Sequence, residues 1–153
     1  MFEATLTILT GIIIAVISSI VTVWLSMRRF RSERSWDRAA DTYAKLINAL
    51  HRSKKYNDTH LAAAMRGSDL SKEKKEELRQ TLRKAMNEIE LIVDTGSFSL
   101  SQEAMIILGE YRRATKEDDP NWTWDEYLIH DSEATGKCLK KIIAEAKRDL
   151  RSR

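Results

Sequence analysis

The chain contains few of the residues that cross-link a protein or interrupt its secondary structure. It has one cysteine, one proline and five glycines among 153 residues. The single thiol, Cys138, excludes an intramolecular disulfide and a cluster of thiolate ligands around a metal. Alanine, leucine, isoleucine, glutamate, lysine and arginine are abundant, as is typical of helices. The composition therefore predicts an all-α protein with almost no strand.

Charge is also absent from one long part of the sequence. Residues 4–27 hold no acidic or basic side chain, and as a helix this run is roughly 36 Å long, against about 30 Å for the hydrocarbon core of a bilayer. Only Glu3 is charged before it, whereas Arg28, Arg29 and Arg31 follow directly. By the positive-inside rule, this pattern predicts a single-pass protein of the bacterial inner membrane, with its N-terminus outside and its C-terminal domain in the cytoplasm.

This pattern divides the chain into three parts. Residues 1–27 are predicted to be a transmembrane anchor, residues 28–35 a basic juxtamembrane segment, and residues 36–153 a small cytosolic bundle of about four helices. Within the anchor, small residues recur every four positions at Thr7, Gly11, Ala15 and Ser19. Because small side chains let helices approach closely, this face is expected to make the protein a homo-oligomer in the bilayer. The alternative is that small residues are simply common in membrane helices.

Two helices of the cytosolic domain are predicted from apolar residues at alternating spacings of four and three. The first is expected to bury one stripe, made of Trp36, Ala40, Tyr43, Ile47 and Leu50. The second starts after an N-cap at Ser71 and is expected to bury Leu78, Leu82, Ala85, Ile89 and Ile92. Since the heptad spacing is short in each helix, packing within one bundle is favoured over a coiled coil between protomers.

Two further helices are predicted from their N-terminal caps. A short helix begins after Ser99 or Ser101, and its buried residues are expected to include Ala104, Met105, Leu108 and Tyr111. Residues 123–126 have the sequence Thr-Trp-Asp-Glu, a capping box that starts the last helix. Its buried face is expected to contain Tyr127, Leu128, Cys138, Ile142, Ile143, Ala146 and Leu150.

No catalytic motif accompanies the bases and nucleophiles of the sequence. The histidines His51, His60 and His130 lie in separate contexts, without the H-E-x-x-H or E-x-x-H spacing of a metal site. A G-x-S-x-G elbow, a P-loop and a G-x-G-x-x-G turn are also missing. We therefore expect no enzyme, no metal site and no cofactor. The net charge of +3 is too small to predict DNA binding.

Basic residues beside aromatic or hydrogen-bonding groups remain as candidates for binding. The first basic cluster consists of His51, Arg52, Lys54 and Lys55. The second basic cluster consists of Tyr111, Arg112 and Arg113, and a nearby loop adds Asn121 and Trp122. Phosphates bind arginine and lysine, and bases stack on aromatic rings, so these residues are expected to bind an anionic nucleotide. The alternatives are a solvated basic surface for each cluster and, for Trp122, a side chain that caps the bundle.

A resemblance to known proteins points in the same direction. The stretch SERSWDRAADTYAKLINAL resembles the juxtamembrane helix of small bacterial proteins built from one anchor and one helical domain. In layout, the chain also resembles the CRISPR-associated membrane effectors that are gated by cyclic oligoadenylate. That resemblance implies an oligomeric antiviral defence effector, whose cytosolic domain binds a cyclic nucleotide second messenger and whose membrane segment then perturbs the bilayer. It assigns no site residue, because no ligand motif matches residue by residue.

Two functions remain open at this point. In the first, the protein is such a ligand-gated effector. In the second, it is a membrane-tethered adaptor or immunity protein that binds a protein partner, and its basic clusters are incidental.

Overall fold

The computed structural model of the chain describes the backbone of residues 2–116 and 119–153, and the side chains of residues 18–27, 33–96, 98–116 and 119–153. These residues form four α-helices, one 3-10 turn and no strand, so the predicted all-α class is confirmed. In chain order the elements are α1 (Phe2–Met65), α2 (Lys72–Thr95), the 3-10 turn (Gly96–Phe98), α3 (Gln102–Ala114) and α4 (Trp124–Ser152).

The chain divides into two compact units, Met1–Asp37 and Arg38–Arg153. We call them the first and the second unit. In the first unit, the described side chains from Ser18 to Met27 are all exposed. The second unit contains the rest of α1 together with α2, α3 and α4.

The first unit does not support the predicted membrane anchor. In the part of the chain that the structure describes, no helix combines the length and the apolar character that crossing a bilayer requires. The predictions of a transmembrane helix at residues 4–27 and of a single-pass inner-membrane location are therefore corrected.

The predicted self-association face falls mostly outside the described side chains. Thr7, Gly11 and Ala15 belong to the residues whose side chains are not described, and Ser19 is exposed on α1.

One hydrophobic core, to which every helix contributes, holds the second unit together. The predicted burial is confirmed on α2 for Leu78, Ala85, Ile89 and Ile92, on α3 for Ala104, Leu108 and Tyr111, and on α4 for Leu128, Cys138, Ile142 and Ala146. The other predicted core residues of these helices are half-buried, namely Leu82, Met105, Tyr127, Ile143 and Leu150.

The buried stripe of α1 differs from the predicted one. Tyr43 and Leu50 are buried as expected, but Trp36 is 43% exposed. The buried positions instead run, at the same spacings of four and three, through Ala39, Tyr43, Leu46, Leu50, Ser53 and Asn57. The stripe thus ends in two polar residues, and no apolar pattern in the sequence indicates their burial.

The predicted helix starts are confirmed by their caps. The Ser71 hydroxyl accepts a hydrogen bond from Lys74 N at 3.2 Å. At Thr123 both halves of the capping box are present, since its hydroxyl accepts from Glu126 N and its backbone N–H donates to Glu126. Each such bond satisfies an amide that the first helical turn leaves unpaired.

Ser101, rather than Ser99, caps α3. Its hydroxyl oxygen accepts from Ala104 N at 3.1 Å, and its hydroxyl hydrogen is donated to Glu145 Oε1 of α4 at 2.6 Å. Tyr43 of α1 donates from its own hydroxyl to Asp149 Oδ2 at 3.0 Å and lies 3.3 Å from Ser101 Oγ. These hydrogen bonds fix the start of α3 against α1 and α4.

Candidate ligand-binding cleft

A cleft of about 480 Å³ opens between α2, α3 and α4 within the second unit. We call it the central cleft. Its apolar lining comes from Leu82, Met86, Ile89, Val93 and Leu108. Small-molecule sites in proteins are typically about 300 to 1,000 Å³ in volume and combine an apolar lining with a few polar groups. The central cleft therefore has the dimensions of a ligand site.

Charged side chains of opposite sign lie on the two rims of the central cleft. The α2 rim carries Glu90 and Asp94, and the α3 rim carries Arg112 and Lys116. Both cations are exposed, and among the described residues neither forms an ion pair. Within the described part of the chain, an anionic ligand group would therefore displace no carboxylate from them. Each can contribute a charge-assisted hydrogen bond to such a group.

Polar groups of α3 and α4 also line this cleft. Tyr111 is 5% exposed, and its hydroxyl oxygen accepts a hydrogen bond from Thr135 Oγ1 at 3.4 Å. Asp131 accepts a hydrogen bond from Asn57 Nδ2 at 2.5 Å. Burial raises the pKa of the Asp131 carboxyl and that of the Tyr111 hydroxyl, because a low-dielectric environment disfavours the charged form. Asp131 therefore keeps its proton to a higher pH than an exposed aspartate does.

The second basic cluster is only partly in the central cleft. Tyr111 and Arg112 line it, together with Lys116. Arg113 is exposed and directs its Nε to the backbone oxygen of Gly109 at 3.4 Å, and it is not part of the lining. Of the two arginines in this cluster, Arg112 is thus the one that lines the central cleft.

The first basic cluster has its cations engaged within the protein. Arg52 of α1 forms a hydrogen-bonded ion pair with Glu88 of α2. Lys54 donates to both carboxylate oxygens of Asp58, at 2.8 and 2.7 Å, and to Ser132 Oγ at 3.1 Å. Burial alone would raise the pKa of Asp58, but the hydrogen bonds from Lys54 and Ser132 hold that pKa below its usual value. These cations stabilise contacts of α1 with α2 and α4.

The remaining members of the first basic cluster do not complete a site. His51 and Lys55 are exposed, and they border a shallow surface depression together with Arg52 and Glu88. Among the described residues that line the depression, the imidazole of His51 is the one aromatic ring, and no Tyr, Trp or Phe accompanies it. The depression therefore offers a nucleotide base a smaller stacking surface than the central cleft does, with its two tyrosines.

The predicted loop residues lie outside the central cleft. Asn121 donates from its backbone N–H and from its side-chain amide to Asp119 Oδ1, both at 2.9 Å. The ring of Trp122 packs against that of His130 of α4, with centroids 4.6 Å apart. Asn121 thus shapes the loop before α4, and Trp122 covers the outside of that helix.

Several residues of the central cleft were not predicted as site residues. Tyr127 and Asp131 of α4 lie four positions apart, as do Met86, Glu90 and Asp94 of α2. Residues at this spacing share one face of a helix, so each set could have been recognised as a mixed polar and apolar face. The sequence does not show that these two faces meet.

Metal-ligating and thiol groups were also sought among the described residues, outside and inside the cleft. These residues contain no group of three or more His, Cys, Asp or Glu side chains that could hold a metal ion. Burial raises the pKa of the Cys138 thiol to about 12, so little thiolate is present near neutral pH. The central cleft combines an apolar interior, two tyrosines and a cationic rim.

Comparison of the chain with protein-family models, with curated proteins and with solved structures found no match.

Proposed function

We propose that the second unit is a ligand-binding domain whose central cleft takes an anionic molecule of nucleotide type, and that the protein senses this ligand and does not convert it. One observation carries the proposal: Arg112 and Lys116 have no ion-pair partner among the described residues, and they border an apolar cavity that contains Tyr111 and Tyr127. Phosphate oxygens bind such cations, and a base binds between aromatic and apolar side chains.

The acidic side chains of the α2 rim favour a nucleotide as the ligand, rather than a fatty acid or inorganic phosphate. Glu90 and Asp94 are hydrogen-bond acceptors opposite the two cations. They can accept from the exocyclic amino group of a base while the phosphate lies on the α3 rim. A ligand with a donor at one end and an anion at the other matches this charge distribution.

The size of the central cleft limits the ligand to about one nucleotide per protomer. A volume of about 480 Å³ suits a drug-sized molecule and not a whole cyclic oligonucleotide. A cyclic oligoadenylate, the messenger implied by the resemblance to CRISPR-associated effectors, would have to place one nucleotide in the cleft of each of several protomers. If the ligand is a cyclic oligoadenylate, we therefore also propose that the protein forms homo-oligomers and acts in antiviral defence.

The proposal is tested by titrating the full-length chain with AMP, GMP, CMP, UMP and cyclic oligoadenylates, following heat of binding and mass in solution. We expect at least one of these nucleotides to bind, and the matching nucleoside without phosphate to bind more weakly by about tenfold or more. A cyclic ligand that acts as proposed also raises the mass. Equal binding of nucleotide and nucleoside, or no binding of any member of the panel, would overturn the proposal.

A second candidate is an adaptor that binds a protein partner. It is supported by large apolar side chains on the surface of the second unit, since Phe98 is 91% and Leu91 62% exposed. Exposed aromatic anchors of this kind are frequent at the centre of protein interfaces. A photo-crosslinking amino acid at position 98 in host cells would give a defined adduct if a partner docks there. The same probe at the exposed Gln80 of α2 is the matched control.

A further inference from the structure

A second cleft, of about 550 Å³, lies between the end of α1, the turn after it, and the first turns of α2 and α4. We call it the aromatic notch. The turn bends back because Gly67 has a φ of +61°, a conformation that glycine adopts without strain, and Ser68 N donates to Ala63 O at 3.1 Å. One wall is made by the small residues Ala63 and Ala64, which leaves room for a ligand.

Aromatic rings of α1 and α4 also line the notch. The His60 ring lies 4.5 Å from that of Tyr56, and its centroid lies 6.3 Å from that of Trp124 in an edge-on arrangement. Trp124 also stacks on Tyr127 at 5.6 Å, with the two planes 19° apart. It is nevertheless 56% exposed, so much of its indole surface is free for contact with a planar molecule.

One polar atom of these rings lacks a partner. His60 Nε2 is buried and makes no hydrogen bond within the described residues. A buried nitrogen in this state is unfavourable, so a turn of the imidazole that brings Nε2 to the surface of the notch, where a ligand supplies the missing hydrogen bond, adds to the affinity. Burial lowers the pKa of His60, the charges of Lys75 and Arg79 lower it further, and Asp69 partly opposes them. The imidazole is therefore mainly neutral near neutral pH.

The charges around the notch balance one another. Lys75 is 2.6 and 2.8 Å from the two carboxylate oxygens of Asp69, so this pair is neutral as a whole. Arg79 and Asp125, which also line the notch, have opposite formal charges. A strongly charged ligand would therefore gain little here, whereas a neutral ring would contact the indole and the alanines without losing ionic hydration.

We propose that the aromatic notch is a second binding site, for a neutral planar nitrogen heterocycle that stacks on Trp124 and hydrogen-bonds to His60 Nε2. The central cleft, whose rim cations form no ion pair among the described residues, selects an anionic group. The notch selects a ring and a ring nitrogen. The proposal does not rest on the nucleotide function, because the two sites share no lining residue; they touch where Trp124 of the notch stacks on Tyr127 of the central cleft.

Benzimidazole is the probe, because it is planar and carries both a ring N–H and a ring nitrogen acceptor. The full-length chain is labelled with ¹⁵N at its four tryptophan indoles, and the Trp124 signal is assigned by its loss in Trp124→Phe. We expect this signal to shift saturably with benzimidazole. Indene has the same shape without nitrogen and should bind about tenfold more weakly, because it cannot make the hydrogen bond. A Trp124 signal that does not move would overturn the proposal.

Substitutions at the notch separate the role of the nitrogen from that of the ring. His60→Phe keeps a ring and removes Nε2, so it should weaken benzimidazole about tenfold and leave indene unchanged. His130→Phe is the matched control, since His130 packs on Trp122 and does not line the notch. If His60→Phe binds benzimidazole as tightly as the unmodified chain, the assigned hydrogen bond is wrong.

A second variant keeps the test decisive if His60→Phe fails to fold. Ala64→Leu fills the notch from the exposed end of α1 and alters no ring. It should abolish the benzimidazole shift while the Trp122 signal stays at its position. Arg112→Ala, in the other cleft, should leave the shift unchanged. Retained binding in Ala64→Leu would overturn the proposal.

Discussion

Both basic clusters place cations close together on one helix, but these cations contact different groups. In the first basic cluster, Arg52 pairs with Glu88, and Lys54 bonds to Asp58. In the second, Arg112 forms no ion pair within the described residues, and it borders the central cleft. The neighbouring side chains cause the difference, because a carboxylate lies within reach of the first cluster and an open cavity lies beside the second. A cation in a helical bundle is thus available to a ligand where no acidic side chain neutralises it.

The sharpest test of this comparison is the double variant Arg112→Ala, Lys116→Ala. It removes both cations of the α3 rim, so the affinity for the nucleotide should fall about a hundredfold, or ~2.7 kcal/mol. The free energy of unfolding should change by less than about 0.5 kcal/mol, because both side chains are exposed. Calorimetric titration and urea denaturation measure the two quantities.

Arg113→Ala is the matched control for the double variant, because Arg113 is on the same helix but outside the cleft lining. It should bind the nucleotide as the unmodified chain does. If Arg113→Ala weakened binding as much as the double variant, the affinity would come from general positive charge on α3 and not from the central cleft.

The next largest effect is expected from Asn57→Ala, on α1, and it concerns the free energy of unfolding. Asn57 is 1% exposed and donates to Asp131 at 2.5 Å. Its loss leaves a largely buried carboxyl without this donor, so the free energy of unfolding should fall by about 2 kcal/mol. Urea denaturation measures this, and Asn87→Ala at an exposed position of α2 is the control. An unchanged midpoint would mean that the hydrogen bond contributes nothing to stability.

The parts of this fold that could be predicted are those encoded by neighbouring residues. Ser71 and Thr123 start their helices because a cap needs residues only three positions apart. The buried faces of α2, α3 and α4 follow from their apolar spacing. The end of the α1 stripe could not be predicted, because Asn57 is polar and its partner, Asp131, is 74 positions away in the chain.

The central cleft was predictable to a smaller extent. Tyr111 and Arg112 were recognised by their chemical type, but the same reasoning selected Arg52 and Lys54, whose partners are brought to them by other helices. Tyr127 and Asp131 were missed as site residues because nothing in a single sequence shows that α4 faces α2 and α3 across a cavity. Charge identifies candidates, whereas tertiary contacts decide which of them stay free.

Asp131 in the central cleft and Asp58 beside the first basic cluster should change the stability of the fold with pH in opposite directions. Burial raises the pKa of Asp131 in the folded protein, so its protonated form contributes stability at low pH that is lost as the pH rises through this raised value. Asp58 has a lowered pKa: burial opposes the shift, but hydrogen bonds from Lys54 and Ser132 outweigh it. Its contribution is present above the usual aspartate pKa and is lost as the pH falls through the lowered value.

Asp131→Asn and Asp58→Asn test these signs through the free energy of unfolding between about pH 3 and pH 7. Relative to the unmodified chain, Asp131→Asn should gain stability as the pH rises, and Asp58→Asn should lose it. Curves that shift in the same direction for both variants would show that the two carboxyls share one environment, contrary to the structure.

The smallest effect is expected from Arg52→Gln, and it decides whether the comparison is correct. Side chains of the Arg52 and Glu88 pair are 36% and 31% exposed, so losing the ion pair should cost only about 0.5 kcal/mol of unfolding free energy. Nucleotide affinity should not change, with Lys55→Gln as the control on the same exposed surface. If Arg52→Gln instead lowered the nucleotide affinity as much as the loss of Arg112 does, the ion pair between Arg52 and Glu88 would not keep Arg52 from the ligand in solution. The ligand would in that case bind on α1, and the central cleft would lose its assignment.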